Sequence, residues 1–109
     1  MINEILMIGY GPVGRATVQL LRARGTPVRV AQRSRPADLP DGVAFTPCDI
    51  LDPASVAAAV QGASQIAVAV GFDYTGPAWE SAWPVAMRNL LDACAAEKVR
   101  MLFFDNLYM

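Results

Sequence analysis

The sequence predicts an α/β fold: a doubly wound parallel sheet of about five strands, with helices on both of its faces. Three observations predict it. Short apolar runs alternate with segments of helical periodicity, as they do where crossover helices join parallel strands. From Gln65 to Val70 the chain is almost continuously apolar, which suits a strand buried on both faces. Finally, Ile5-Leu6-Met7-Ile8 runs straight into Gly9-Tyr10-Gly11-Pro12-Val13-Gly14, a glycine-rich turn that leaves a strand and opens a helix. With 109 residues, 54% of them hydrophobic, the chain is one domain with enough apolar mass for a core.

The elements follow in order. Strand one is read over Asn3 to Ile8. Helix one runs from Pro12 to about Arg24; proline suits its first position, Gly25 ends it, and Val13, Ala16, Val18, Leu20 and Leu21 form its apolar face. Strand two spans Pro27 to about Gln32, before a polar loop containing Pro36 and Pro40. Val43 to Cys48 is a third, weaker strand because it contains Pro47. Asp52 caps a second helix, with Pro53 at its first position, Ala57 to Val60 in its body and Gly62 as its stop. Gln65 to Val70 is strand four. A long helix is expected from Ala82 or Pro84 to Glu97, and Met101 to Phe104 is the last strand. The order β-α-β-β-α-β-α-β supplies one nucleotide-binding half and part of another.

Charge and composition exclude several classes of function. Nine Lys and Arg face ten Asp and Glu, with no basic run or acidic tail, so nucleic acid and anionic membrane surfaces are not expected partners. There is no histidine, hence no imidazole base. Cys48 and Cys94 are far apart and form no CxxC, so no metal site is expected; buried free thiols are favoured over a disulfide. The N-terminus has no basic leader, and no stretch approaches the ~18 apolar residues of a membrane span. A soluble, cytoplasmic protein is the expectation.

The glycine turn carries the chemistry. In a Rossmann-type sheet, Gly9 would let the backbone turn sharply, Gly11 would clear space for a phosphate, and Gly14 would let the helix approach the strand. With Tyr10, Pro12 and Val13 these residues form the candidate cofactor turn, since helix N–H groups and the helix dipole favour a pyrophosphate there. Tyr10 could lie over the cofactor or face solvent; Arg15 could reach a phosphate or be solvated.

Strand two ends in Gln32-Arg33-Ser34-Arg35, where an NAD site wants a carboxylate for the ribose 2′-hydroxyl, and no acid follows until Asp38. Arginine can instead hold a 2′-phosphate, so NADP is favoured over NAD, with Arg33 the first candidate and Arg35 the second; solvated loop arginines are the alternative. Asp49, with Ile50 beside it, stands where a side chain could accept from an adenine amino group or could make a local turn. Ala69-Val70-Gly71 ends strand four with small residues, which would let a ribose and nicotinamide pass or would serve close packing. Tyr74, Trp79 and Trp83 could form a substrate-facing wall or pack at a helix entrance.

Taken together, Gly9-Tyr10-Gly11-Pro12-Val13-Gly14, Cys48-Asp49-Ile50-Leu51-Asp52, Ala69-Val70-Gly71, Asn89-Leu90-Leu91-Asp92-Ala93 and Phe103-Phe104-Asp105-Asn106-Leu107-Tyr108-Met109 span the chain. In these segments the sequence resembles the extended and atypical short-chain dehydrogenase/reductases, the NAD-dependent epimerase/dehydratase group. The resemblance implies a bound dinucleotide, a small-molecule substrate such as a carbonyl compound or sugar nucleotide, and a homo-oligomer as a compatible state. It also makes Asn106 the candidate catalytic residue, standing where the family carries a serine or threonine hydroxyl. The family's GxxGxxG reads GxGxxG here, and its Tyr-x-x-x-Lys is absent, since Lys98 is the only lysine and Cys94 precedes it by four. The chain is accordingly expected to be the N-terminal, dinucleotide-binding portion of a longer enzyme, lacking the catalytic and substrate segment. A non-catalytic NADP-sensing or gating module is the alternative.

Overall fold

Strand β1, Ile5–Ile8, is apolar at every position because it lies at the centre of a parallel sheet with a layer of side chains on either face. The computed structural model describes residues 4–69 and 77–104 and, for residues 77–80, the backbone alone. After β1 come α1 (Pro12–Ala23), β2 (Val28–Gln32), β3 (Ala44–Pro47), α2 (Pro53–Val60), β4 (Gln65–Val68), α3 (Pro77–Glu97) and β5 (Arg100–Phe103). The strands form one sheet in the order β3-β2-β1-β4-β5, every pair parallel. This is the Rossmann-type α/β architecture expected from the sequence.

The period of two along each strand divides the core into two layers. Leu6 and Ile8, Ala31, Ile66 and Val68 face α2 and α3, where Val56, Val60 and Leu90 pack on them. Met7, Val28, Val30 and Ala67 face the other way, towards Val18 of α1. Leu6, Met7, Ile8 and Ile66 are essentially inaccessible to water, and each such side chain contributes about 1.5–3 kcal/mol of burial. Leu102 of β5 points to the α1 face beyond the reach of that helix and is 58% exposed.

Arg29 is polar on an apolar strand, and the structure explains it. Its Nε donates to Glu4 Oε1 at 2.9 Å, Nη1 to Thr46 Oγ1 at 2.7 Å, and Nη2 to the carbonyls of Ala59 and Gln61 at 3.0 and 3.2 Å. The guanidinium thus closes the N-terminal edge of the sheet, joining the start of β1 to β3 and the end of α2. A half-buried arginine is tolerable there because its fork is filled.

One expectation holds and one shifts. Pro47 stays within β3, pairing in register with Gln32, because β3 is an edge strand and needs no outward hydrogen bond. The long helix begins at Pro77 rather than at Ala82 or Pro84, so Pro84 lies inside it. Pro77 takes the first helical position, where a missing N–H costs nothing. Pro84, seven residues on, leaves the Glu80 carbonyl without its helical donor. No helix among the described residues is long and apolar enough to cross a membrane.

Candidate functional site

The C-terminal ends of the strands stand level. Each ladder extends by one further bond: Gly9 N to Ala31 O at 3.0 Å, and Ala69 N to Ile8 O, Cys48 N to Gln32 O and Phe104 N to Val68 O, each at 2.9 Å. The chain winds outward from β1 through β2 to β3, then crosses back to β4 on the other side. That reversal opens a crevice beside the end of β1, flanked by Gly9 and Ala69, and such a switch point is where open α/β sheets take ligands.

The three glycines of the turn differ in what requires them. Gly9 has φ of +98°, a conformation that side chains rarely adopt. A Cβ on Gly14 would run into the Gly9 carbonyl oxygen, so the helix can approach the strand only without one. Gly11 answers to neither need. Its φ of −81° is ordinary, and a Cβ there would meet nothing within 4 Å. Helix α1 starts at that open space with Gly11 as its cap residue, no side-chain cap and no acid in its first turn. Its first N–H groups and the positive end of its dipole therefore face the opening.

A polar chain borders the turn on the β2 side. The Tyr10 N–H donates to Gln32 Oε1 at 3.1 Å, and Gln32 Nε2 donates to the Ser34 carbonyl at 3.0 Å. Arg15 Nη1 donates to the Tyr10 carbonyl at 2.7 Å, while its Nε and Nη2 reach the two carboxylate oxygens of Asp38 at 3.1 and 3.2 Å. The guanidinium carbon lies 4.7 Å from the Tyr10 ring centroid, a cation–π distance. Hydrogen bonding from Arg15 holds the Asp38 carboxyl below its usual range. So Arg15 is paired rather than merely solvated, and Tyr10 is buried beneath it rather than facing solvent.

Sequence reasoning passed over Gln32 and Asp38. Gln32 could have been found by position, as the last residue of β2 and the place where an NAD-type site carries its acid. Asp38 has no such signal, because 23 residues and an irregular loop separate it from Arg15.

Arg33 and Arg35 are exposed at the rim. Among the described residues Arg33 makes no hydrogen bond or ion pair, and the Arg35 guanidinium lies 6.0 Å from the Phe45 ring centroid. The local-turn role considered for Asp49 is present: Oδ1 accepts from the Leu51 N–H at 3.0 Å, and the Asp49 N–H donates to Ser55 Oγ at 2.9 Å. Ile50 is buried in the α2–α3 layer, and its carbonyl accepts from Asn89 Nδ2 at 2.9 Å, so its side chain faces the core rather than the crevice. Ala69 is half-buried against the α1 layer.

Trp83 packs on Phe103 with ring centroids 5.2 Å apart, consistent with the packing role considered for it. Val70, Gly71, Tyr74 and Asn106 lie outside the described residues, as does the side chain of Trp79. Cys48 and Cys94 are buried free thiols whose pKa values burial pushes up. No group of three or more potential metal ligands occurs among the described residues.

The chain matches the NAD(P)H-binding family over residues 9–104. Solved structures share the fold. A short-chain dehydrogenase/reductase superfamily protein from Agrobacterium tumefaciens, with bound NAD, is 32% identical; the match covers 92% of this chain and 31% of that one, with a TM-score of 0.75. UDP-glucose 4-epimerase from Thermus thermophilus, in complex with NAD, is 25% identical over 93% of this chain and 36% of its own, with a TM-score of 0.78. A mutated uronate dehydrogenase is 25% identical over 94% of this chain and 39% of its own, with a TM-score of 0.79. This chain therefore spans less than two-fifths of the length of these structures. No curated protein sequence matches it significantly.

Proposed function

This chain belongs to the NAD(P)H-binding family, and we propose that it is the cofactor-binding part of an epimerase, dehydratase or reductase that takes NADP in preference to NAD. A carbonyl compound or sugar-nucleotide-like molecule is the substrate; relatives named for UDP-glucose and uronate support that class. The observation that carries the reading is Gly11. Its backbone needs no glycine and its surroundings need none, which leaves clearance for a ligand at the uncapped start of α1 as the reason for the missing side chain. A pyrophosphate fits there by charge and by hydrogen-bonding capacity.

When bound, the nicotinamide would exchange hydride at its C4 with the substrate carbon. The residues of this chain hold and orient. Gly9 and Ala69 border the crevice, and Arg33, with Arg35 second, holds the 2′-phosphate. Gln32 supports this preference, because a neutral amide ends β2 where a carboxylate would repel that phosphate. Asp49 retains an oxygen for the adenine amino group, Val70 and Gly71 are assigned to the cofactor with Ala69, and Asn106 is assigned to donate to the substrate oxygen.

Titration calorimetry of NADP and NAD, on the protein and on Arg33→Ala, tests the cofactor assignment. Loss of a charge-assisted bond should weaken NADP binding about tenfold and leave NAD unchanged. An Arg33→Ala protein that keeps its NADP preference removes Arg33 from the site.

A further inference from the structure

The loop between β2 and β3 brings the Asp38 carboxylate back to the rim where Arg15, Arg33 and Arg35 stand. Asp38 meets Arg15 through both carboxylate oxygens, Arg15 holds the Tyr10 carbonyl, and the other side of Tyr10 is bonded to Gln32 at the end of β2. One residue, Tyr10, therefore links the Asp38–Arg15 pair to the end of β2, where a ribose 2′-substituent lies in such sheets. The Arg15 and Asp38 side chains are 44% and 61% exposed, against 14% and 25% for the Arg29–Glu4 pair at the opposite edge. An exposed pair exchanges partners readily; a buried one does not.

We propose that Asp38 is a specificity-determining residue, an internal anion that competes with the 2′-phosphate of the dinucleotide for the Arg15 guanidinium. This rests on the reading that NADP is bound beside the end of β2. Three of the five Arg15 N–H donors are engaged, and the Nε–Nη2 edge that faces Asp38 can grip a phosphate only by releasing that carboxylate. A phosphate carries more charge than a carboxylate and accepts more bonds, so it wins the exchange at a cost. NAD has no such group and leaves the pair closed. Asp38 thus holds the preference for NADP below what Arg15 and Arg33 would give unopposed.

The test is calorimetry of NADP and NAD on Asp38→Asn, Arg15→Ala and the double variant. Removing an exposed competing charge should tighten NADP about fivefold and leave NAD within about twofold. In the Arg15→Ala background the same substitution should leave NADP binding unchanged. The inference is overturned if Asp38→Asn weakens both cofactors together, since the carboxylate would then only staple the loop, or if the gain persists without Arg15. A protein that prefers NAD, or whose preference survives Arg33→Ala, would sink the cofactor assignment; the Asp38→Asn change in NADP affinity still reads the competition itself.

Discussion

Helices α1 and α2 begin alike and end up doing opposite things. Each places a cap residue before a proline at its first position, Gly11-Pro12 in one and Asp52-Pro53 in the other. At α2 the Asp52 side chain accepts from the Ala54 N–H at 3.1 Å, so the helix closes on itself. At α1 no side chain does this, although the extended backbone of Gly11 would suit a capping residue and a Cβ would meet nothing within 4 Å. One N-terminus is finished by the chain; the other is left for something the chain lacks. The difference teaches that an omitted stabilising group is as informative as a present one, provided that sterics do not explain the omission.

That contrast can be broken. The largest effect belongs to Gly14→Val, which drives a Cβ into the Gly9 carbonyl and forces α1 off the sheet. Overpacking against backbone should cost about 3 kcal/mol or more and be seen as a collapsed unfolding midpoint in thermal denaturation. Gly11→Asp turns α1 into a second α2. It should stabilise the fold by about 0.5–1 kcal/mol, through the cap and the loss of a glycine. The same carboxylate would repel a pyrophosphate, and calorimetry should show NADP and NAD both weakened about a hundredfold. Retained affinity in that variant would mean that α1 does not face the phosphates. Smallest is Asp52→Ala, which should lower stability by about 1 kcal/mol, or about 4–8 °C in melting temperature, with no change in dinucleotide affinity.

The order of strands and helices was legible in the sequence because parallel strands are apolar on both faces and their helices are punctuated by proline, glycine and a capping aspartate. The glycine turn was legible too, and the structure separates its members: Gly9 and Gly14 answer to the fold, Gly11 does not. The start of α3 was not legible, because Pro77 and Pro84 both suit a first turn and only tertiary context chooses between them. The Arg15–Asp38 pair was hidden for another reason. It joins a helix to an irregular loop, where no periodicity reports which side chains will meet. Arg29 was equally silent, since a charged residue on a buried strand becomes sensible only when four partners arrive from elsewhere.

The Arg29 clasp also bears on how the molecule comes apart. Its partners, at Glu4, Thr46, Ala59 and Gln61, belong to segments that a chain unravelling from one end would lose at different times. Peeling β3 from the sheet would cut the Thr46 bond, and fraying β1 at its start would leave the guanidinium without its counter-charge. The edge strand and the central strand are thereby coupled into one cooperative opening unit. An edge held in this way offers fewer transient openings for a strand of another molecule to pair with, so the same arginine that steadies the fold also guards it against aggregation.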